Sequence, residues 1–159
     1  MVLSKNYIFK HAADYAIIEV SDQSFSGVTR KIGSVVGHFG YKTLDLLPNH
    51  VTILGYPGNL DSGQKMHQVT AGSYGSGGNN TAIYGSDMAG GSSGGPWVEN
   101  FGIGAVGQVD GSDRTLNQIV GVTSYGSTSV KPLYEGSSIL DTRFTSILKT
   151  ACAWKSGNC

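Results

Sequence analysis

Gly90-Gly91-Ser92-Ser93-Gly94-Gly95-Pro96-Trp97 is the stretch of this chain whose residue types could do chemistry. A serine hydroxyl attacks a carbonyl only with help. A base must take its proton, and fixed N–H donors must meet the oxyanion that forms. Gly91 and Gly94 let the backbone turn with no Cβ in the way, so that N–H groups near Ser93 can converge on one point. A run of this composition is by default a flexible loop. Here it ends in Gly-Pro ahead of the apolar pair Trp97-Val98, and it follows the mixed segment Tyr84-Gly85-Ser86-Asp87-Met88-Ala89. Both features favour a shaped turn that presents Ser93 as a nucleophile.

Gly91-Ser92-Ser93-Gly94-Gly95-Pro96 resembles the nucleophile motif of the trypsin-like serine peptidases, and Gly90 to Trp97 resembles the secreted bacterial members in particular. Asp14-Tyr15-Ala16-Ile17-Ile18 is similar to their motif for the triad aspartate. Leu54-Gly55-Tyr56-Pro57-Gly58 is similar to the strand that opens their second barrel, and Ser124-Tyr125-Gly126 to the strand that pairs with substrate backbone. The likeness runs from about Tyr7 to Leu148. It implies a serine endopeptidase with Ser93 as nucleophile, Asp14 as the orienting carboxylate, and the Gly91 and Ser93 N–H groups as oxyanion hole. It also implies a polypeptide substrate and no cofactor. Asp87, six residues before Ser93, stands where the family places the floor of the specificity pocket, and an aspartate there attracts Lys or Arg. Thr123 stands where glutamate-specific relatives carry a histidine. Ser92 replaces the aspartate that in animal enzymes pairs with a newly cut amino terminus, so activation by that route is not expected.

The third member of the triad is missing from its place. The family's histidine lies several tens of residues before the aspartate, in a Thr-Ala-x-His-Cys stretch, and Asp14 is almost at the amino terminus. His11 lacks the expected flanking residues, while His38, His50 and His67 follow the aspartate; all four read as solvated or locally bonded side chains. Met1 to Tyr7 shows no apolar segment of a secretion signal. The expectation is an amino-terminally truncated chain, inactive alone, whose base comes from the missing half of the enzyme. The alternative is a non-catalytic remnant that acts as a binding module.

The elements that would position these residues are short strands punctuated by turns. Strands are expected over 15–20, 51–56, 66–72, 81–84, 96–100, 103–109 and 117–125, with a Gly/Asn/Ser loop over 73–80. Along 66–72, Met66, Gln68 and Thr70 share one face and His67, Val69 and Ala71 the other. Phe144, Ile147, Leu148 and Ala151 follow helical spacing, with Asp141 or Thr142 placed to cap the start. Such spacing predicts an all-β barrel or sandwich rather than βαβ units. With the resemblance, the expected fold is a trypsin-like double β-barrel whose first barrel is largely missing. Residues 1–45 would be its remnant and the connection, and residues 46–159 the second barrel with a carboxy-terminal helix.

Composition narrows the partners. Of 159 residues 24 are glycine, against an average usage of ~7%. Eleven basic residues balance eleven acidic ones, so nothing argues for nucleic acid or an anionic membrane. No apolar run reaches the ~18 residues of a membrane span. Cys152 and Cys159 would close a small disulfide loop in an oxidising compartment, as for a secreted protein, or remain thiols in the cytosol; two cysteines without nearby histidines do not make a metal site. Gly37-His38-Phe39-Gly40-Tyr41-Lys42-Thr43 has the wrong spacing for a P-loop, and Asn79-Asn80-Thr81 fits a glycosylation pattern that means little in a bacterial chain.

Overall fold

The computed structural model describes residues 12–44, 46–47, 49–102, 115–128 and 133–154. Among them, a two-stranded hairpin of β1 (Gln23–Phe25) and β2 (Val28–Arg30) precedes a one-turn helix, α1 (Ile32–Val36). The strands that follow are β3 (Gly40–Tyr41), β4 (His50–Gly55), β5 (His67–Gly78), β6 (Thr81–Gly85), β7 (Pro96–Glu99), β8 (Gln118–Gly126) and β9 (Tyr134–Ile139). A carboxy-terminal helix, α2 (Thr142–Trp154), ends the described chain.

β3 to β9 form one sheet in the order β3-β8-β7-β4-β5-β6-β9, and β9 also pairs with β8. That last pairing closes β8, β7, β4, β5, β6 and β9 into an antiparallel barrel, with β3 attached in parallel to β8. Closure removes the sheet edges that would otherwise stay unpaired. Val51, Ile53, Ala82, Tyr84, Trp97 and Val120 fill the interior with Leu46 and Met88, each almost fully shielded from solvent. Tyr84 and Trp97 meet edge to face at 5.0 Å, a preferred arrangement for two ring quadrupoles. Their polar ends are bonded: Trp97 Nε1 donates to Thr123 Oγ1 at 2.9 Å, and the Tyr84 hydroxyl donates to the carbonyls of the 46–49 turn, reaching Asn49 O at 2.9 Å.

The alternation of β5 holds where it is expected: His67, Val69 and Ala71 are half-buried, with Val69 and Ala71 against the core, and Met66, Gln68 and Thr70 are exposed. The expected loop over 73–80 is instead strand as far as Gly78. A Cβ on Gly77 would sit 2.2 Å from Tyr125 Oη and 2.4 Å from Thr81 Oγ1, so a glycine here lets a neighbouring tyrosine lie across the strand. The turn is confined to Asn79 and Asn80, whose φ values of 48° and 58° give a two-residue hairpin of the type asparagine tolerates.

The expected strand over 15–20 does not form. Ile18 is 83% exposed and Val20 53%, and no described strand pairs with them. An apolar run becomes a strand only where a neighbour can take its N–H and C=O groups, and among the described residues no strand does so here. β1, β2, α1, β3 and β9 were not expected, and the expected strand over 103–109 lies outside the described residues. The helix forms as the spacing predicts. Asp141 caps it: Oδ1 accepts the Arg143 N–H at 2.9 Å.

Candidate active site

The loop around Ser93, from Ala89 to Gly95, is shaped from both sides. Gly58 N donates to Gly90 O at 2.8 Å, which ties the loop to the turn after β4. Inside the loop Ser92 N donates to Ala89 O and Gly95 N to Ser92 O. On the other side Gly94 N donates to Thr123 O and Thr123 N to Gly95 O, both at 2.9 Å, which ties it to β8. Gly91 has φ +110°, and a Cβ there would sit 2.7 Å from Tyr56 O. Only glycine fits without moving backbone. The two serines then separate. Ser92 is buried at 3% exposure, whereas Ser93 is exposed.

Asp14 reaches the same strand from the amino-terminal segment. Its N–H donates to Ser138 Oγ at 2.9 Å, and its Oδ2 accepts the hydroxyl of Ser124 at 2.7 Å. Ser124 is the neighbour of Thr123, which holds the loop around Ser93. The approach of the segment is fixed at Ala12, whose carbonyl accepts Asn80 Nδ2 and Arg143 Nη2, each at 2.8 Å. Tyr15 adds a ring contact with Phe144 at 5.6 Å and a bond from its hydroxyl to Asp141 at 3.2 Å. Burial pushes the Tyr15 hydroxyl pKa up, helped by the Asp141 charge. Arg143 beside Asp141 holds that carboxyl down at about 2.

Among solved structures the chain is similar to a thermostable serine protease, AL20, from an extremophilic microorganism, with TM-score 0.61 and 20% identity over 84% of this chain and 56% of that one. It is similar to protease Anisep from Arthrobacter nicotinovorans, with TM-score 0.60 and 23% identity over 82% of this chain and 55% of that one. The fold is that of a trypsin-like serine protease, with one barrel. The chain spans just over half the length of these two proteases. No family model matches it, and no curated protein matches it.

The other residues expected at a protease site are placed as follows. Asp87 is exposed, and its carbonyl accepts Asn59 Nδ2 at 2.9 Å while Asn59 Oδ1 takes the Ala89 N–H. Ser124, Tyr125 and Gly126 end β8. On one side β9 pairs with Tyr125 and Gly126, Ser124 falling in a register shift; on the other, the pairing with β7 ends at Val122, and no described strand pairs with Ser124–Gly126 there. Among the described histidines, His67 Nε2 bonds Asp61 Oδ2 at 3.0 Å, and neither His38, His50 nor His67 hydrogen-bonds Asp14 or Ser93. His11 and Cys159 lie outside the described residues, while Cys152 is on α2. Among the described residues no cluster of three metal-ligating side chains occurs, and no helix is long and apolar enough to cross a membrane.

Sequence reasoning missed Glu135. It is 1% exposed on β9, in contact with Ser86 and Ser92 on either side of the 87–91 segment. Ser86 Oγ donates to its Oε2 at 3.0 Å, and Ser92 Oγ is hydrogen-bonded to its Oε1. Burial drives the Glu135 pKa up against the lowering effect of those two hydroxyls, and the Asp87 charge pushes it the same way as burial. Its only signal in the sequence is an acidic residue between Tyr134 and Gly136.

Proposed function

We propose that this chain carries the nucleophile-bearing half of a serine endopeptidase. Ser93 Oγ attacks the scissile carbonyl, the Gly91 and Ser93 N–H groups bind the oxyanion, and Asp14 orients the imidazole that takes the proton. The observation that carries this reading is the 2.7 Å bond from Ser124 to Asp14, since it brings an aspartate from the far end of the chain to the strand that anchors the nucleophile loop. Two facts add to it. Ser93 is exposed while its neighbour is buried, and among the described residues the N–H groups of Gly91 and Ser93 find no acceptor within the protein.

The substrate is a polypeptide laid against Ser124–Gly126, where β8 has room for an added strand. Asp87 favours Lys or Arg before the cut bond. The base is a histidine of a first-barrel segment outside the described residues, because none of the described histidines hydrogen-bonds Asp14 or Ser93. The enzyme is of the secreted bacterial kind, with Cys152 and Cys159 joined.

A fluorophosphonate probe tests the reading. The chain alone labels at background, and the chain co-expressed with an amino-terminal barrel that carries a histidine labels at Ser93, with loss of the signal in Ser93→Ala. Rapid Ser93-dependent labelling of the chain alone overturns the external base. Background labelling of the two-part enzyme overturns the peptidase reading and leaves a binding module.

A further inference from the structure

The segment from Asp87 to Gly91 belongs to no strand, yet its backbone directions are fixed. A planar trans peptide points its C=O and N–H in opposite directions, so a bond to one end aims the other. Four successive peptide units are held in this way. Asp87 O accepts Asn59 Nδ2 at 2.9 Å, and Ala89 N donates to Asn59 Oδ1 at 2.9 Å. Ala89 O accepts Ser92 N at 3.3 Å, and Gly90 O accepts Gly58 N at 2.8 Å. The last of these units carries the Gly91 N–H. Three of the four bonds thus come from Gly58 and Asn59, in a turn that Leu60 N closes on Pro57 O at 3.1 Å.

We propose that Asn59 is a positioning residue for the oxyanion hole: its carboxamide stands in for a neighbouring strand along 87–89 and, with Gly58 N, sets the peptide plane that aims the Gly91 N–H. A carboxamide offers a donor and an acceptor side by side, so one side chain can take both a backbone C=O and a backbone N–H. Met88, between the two bonded positions, packs into the barrel core at 5% exposure. Apolar packing is non-directional, so that contact keeps the segment in place without turning the peptides on either side of it. Asn59 brackets Met88 and supplies the direction. Gly91 cannot supply it, because a glycine at φ +110° favours no single orientation of its own. An oxyanion donor stabilises charge only where it is aimed, so the plane matters to the reaction although Asn59 touches no substrate.

The inference rests on the peptidase reading, and its test has an arm that does not. The full chain, Asn59→Ala and Asn59→Asp are compared by residue-resolved hydrogen–deuterium exchange. The Ser92 amide is the reporter, since it bonds Ala89 O and makes no contact with Asn59 itself. In Asn59→Ala it should exchange roughly tenfold faster, about the net contribution of one hydrogen bond, while the Trp97 and Val98 amides of β7 keep the parent rate. Asn59→Asp keeps an acceptor for Ala89 N–H and turns an oxygen toward Asp87 O, so it should match the alanine variant at Ser92. In the two-part enzyme an alkyl fluorophosphonate should label Ser93 in either variant at a maximal rate lowered roughly tenfold, with the half-saturating probe concentration unchanged. Parent-rate exchange at Ser92 in either variant overturns the proposal. So does an unchanged labelling rate, or a loss of protection that spreads to β7. If the parent two-part enzyme does not label at all, the peptidase reading falls alone, and exchange at Ser92 still decides whether Asn59 holds the loop.

Discussion

At the scale of single residues, the site is a set of backbone and hydroxyl contacts around two acidic side chains with opposite surroundings. Asp14 is exposed and held by one serine; Glu135 is buried and held by two. In the proposed mechanism Asp14 orients the imidazole by accepting its N–H on a carboxylate oxygen. In the two-part enzyme Asp14→Asn is expected to cut the acylation rate about 10⁴-fold, because the amide offers the imidazole a donor in place of an acceptor and selects the wrong tautomer. Probe kinetics on the variant measure it; an unchanged rate would remove Asp14 from the mechanism. Gly91→Ala tests the loop itself. Its Cβ meets Tyr56 O at 2.7 Å and its φ of +110° is foreign to a side chain, so the variant should lose about 1–3 kcal/mol in denaturant melts and label no faster than background. Full labelling by the alanine variant would show that the loop does not need the observed turn.

At the scale of elements, α2 is the anchor that brings the amino-terminal segment to the barrel. Asp141 caps the helix and pairs with Arg143, and Arg143 in turn holds Ala12, two residues before Asp14. The Asp141 carboxyl titrates at about 2 in the folded chain, below its ordinary value. A depressed acid stabilises the fold above its unfolded pKa of ~3.9 and loses that contribution as pH falls toward the folded value. Asp141→Asn keeps a capping side chain and should flatten this acid limb, whereas Asp141→Ala should lose the cap as well, at a cost of about 1 kcal/mol near neutrality. Melting curves at pH 3 and pH 7 distinguish the two; identical curves for Asn and Ala would show that the cap contributes nothing. The same elements show what the sequence could reveal. β4, β5, β6, β7 and β8 were legible because each carries apolar or alternating residues ended by Gly, Pro or Asn. β9 was not, because Glu135, Ser137 and Ser138 read as a polar loop. They are buried only because partners far along the chain satisfy them: Ser86 and Ser92 take the carboxyl, and Ser137 Oγ accepts Val122 N at 2.7 Å. Of the candidate site, Ser93 and Asp14 were legible as motifs and Glu135 was not, since nothing local distinguishes a buried acid from a solvated one. The apolar run after Asp14 misled in the other direction, its expected partners not being among the described strands.

At the scale of the whole molecule, the barrel and the amino-terminal region are unequal. The barrel has a shielded core, whereas the chain from Ile18 to Val36 leaves Phe25 at 85% and Val36 at 75% exposure, and its hairpin pairs with no other described strand. In the two similar proteases roughly as much chain again accompanies the part matched here. Apolar side chains left in water gain about 1.5–3 kcal/mol each on full burial, a strong drive toward any surface that can cover them. The outer edges of the hairpin add N–H and C=O groups that no described strand takes, which suit pairing with another chain. The isolated chain is therefore expected to associate at micromolar concentration, with light scattering above the monomer value and a broad thermal transition. Replacing Ile18, Phe25 and Val36 by Ser should lower the association while the barrel core, which these residues do not enter, keeps its own melting point. A native-sequence chain that stays monodisperse and unfolds in one sharp step would mean that these side chains need no cover, and with that the case for a first barrel seated on this face would fail.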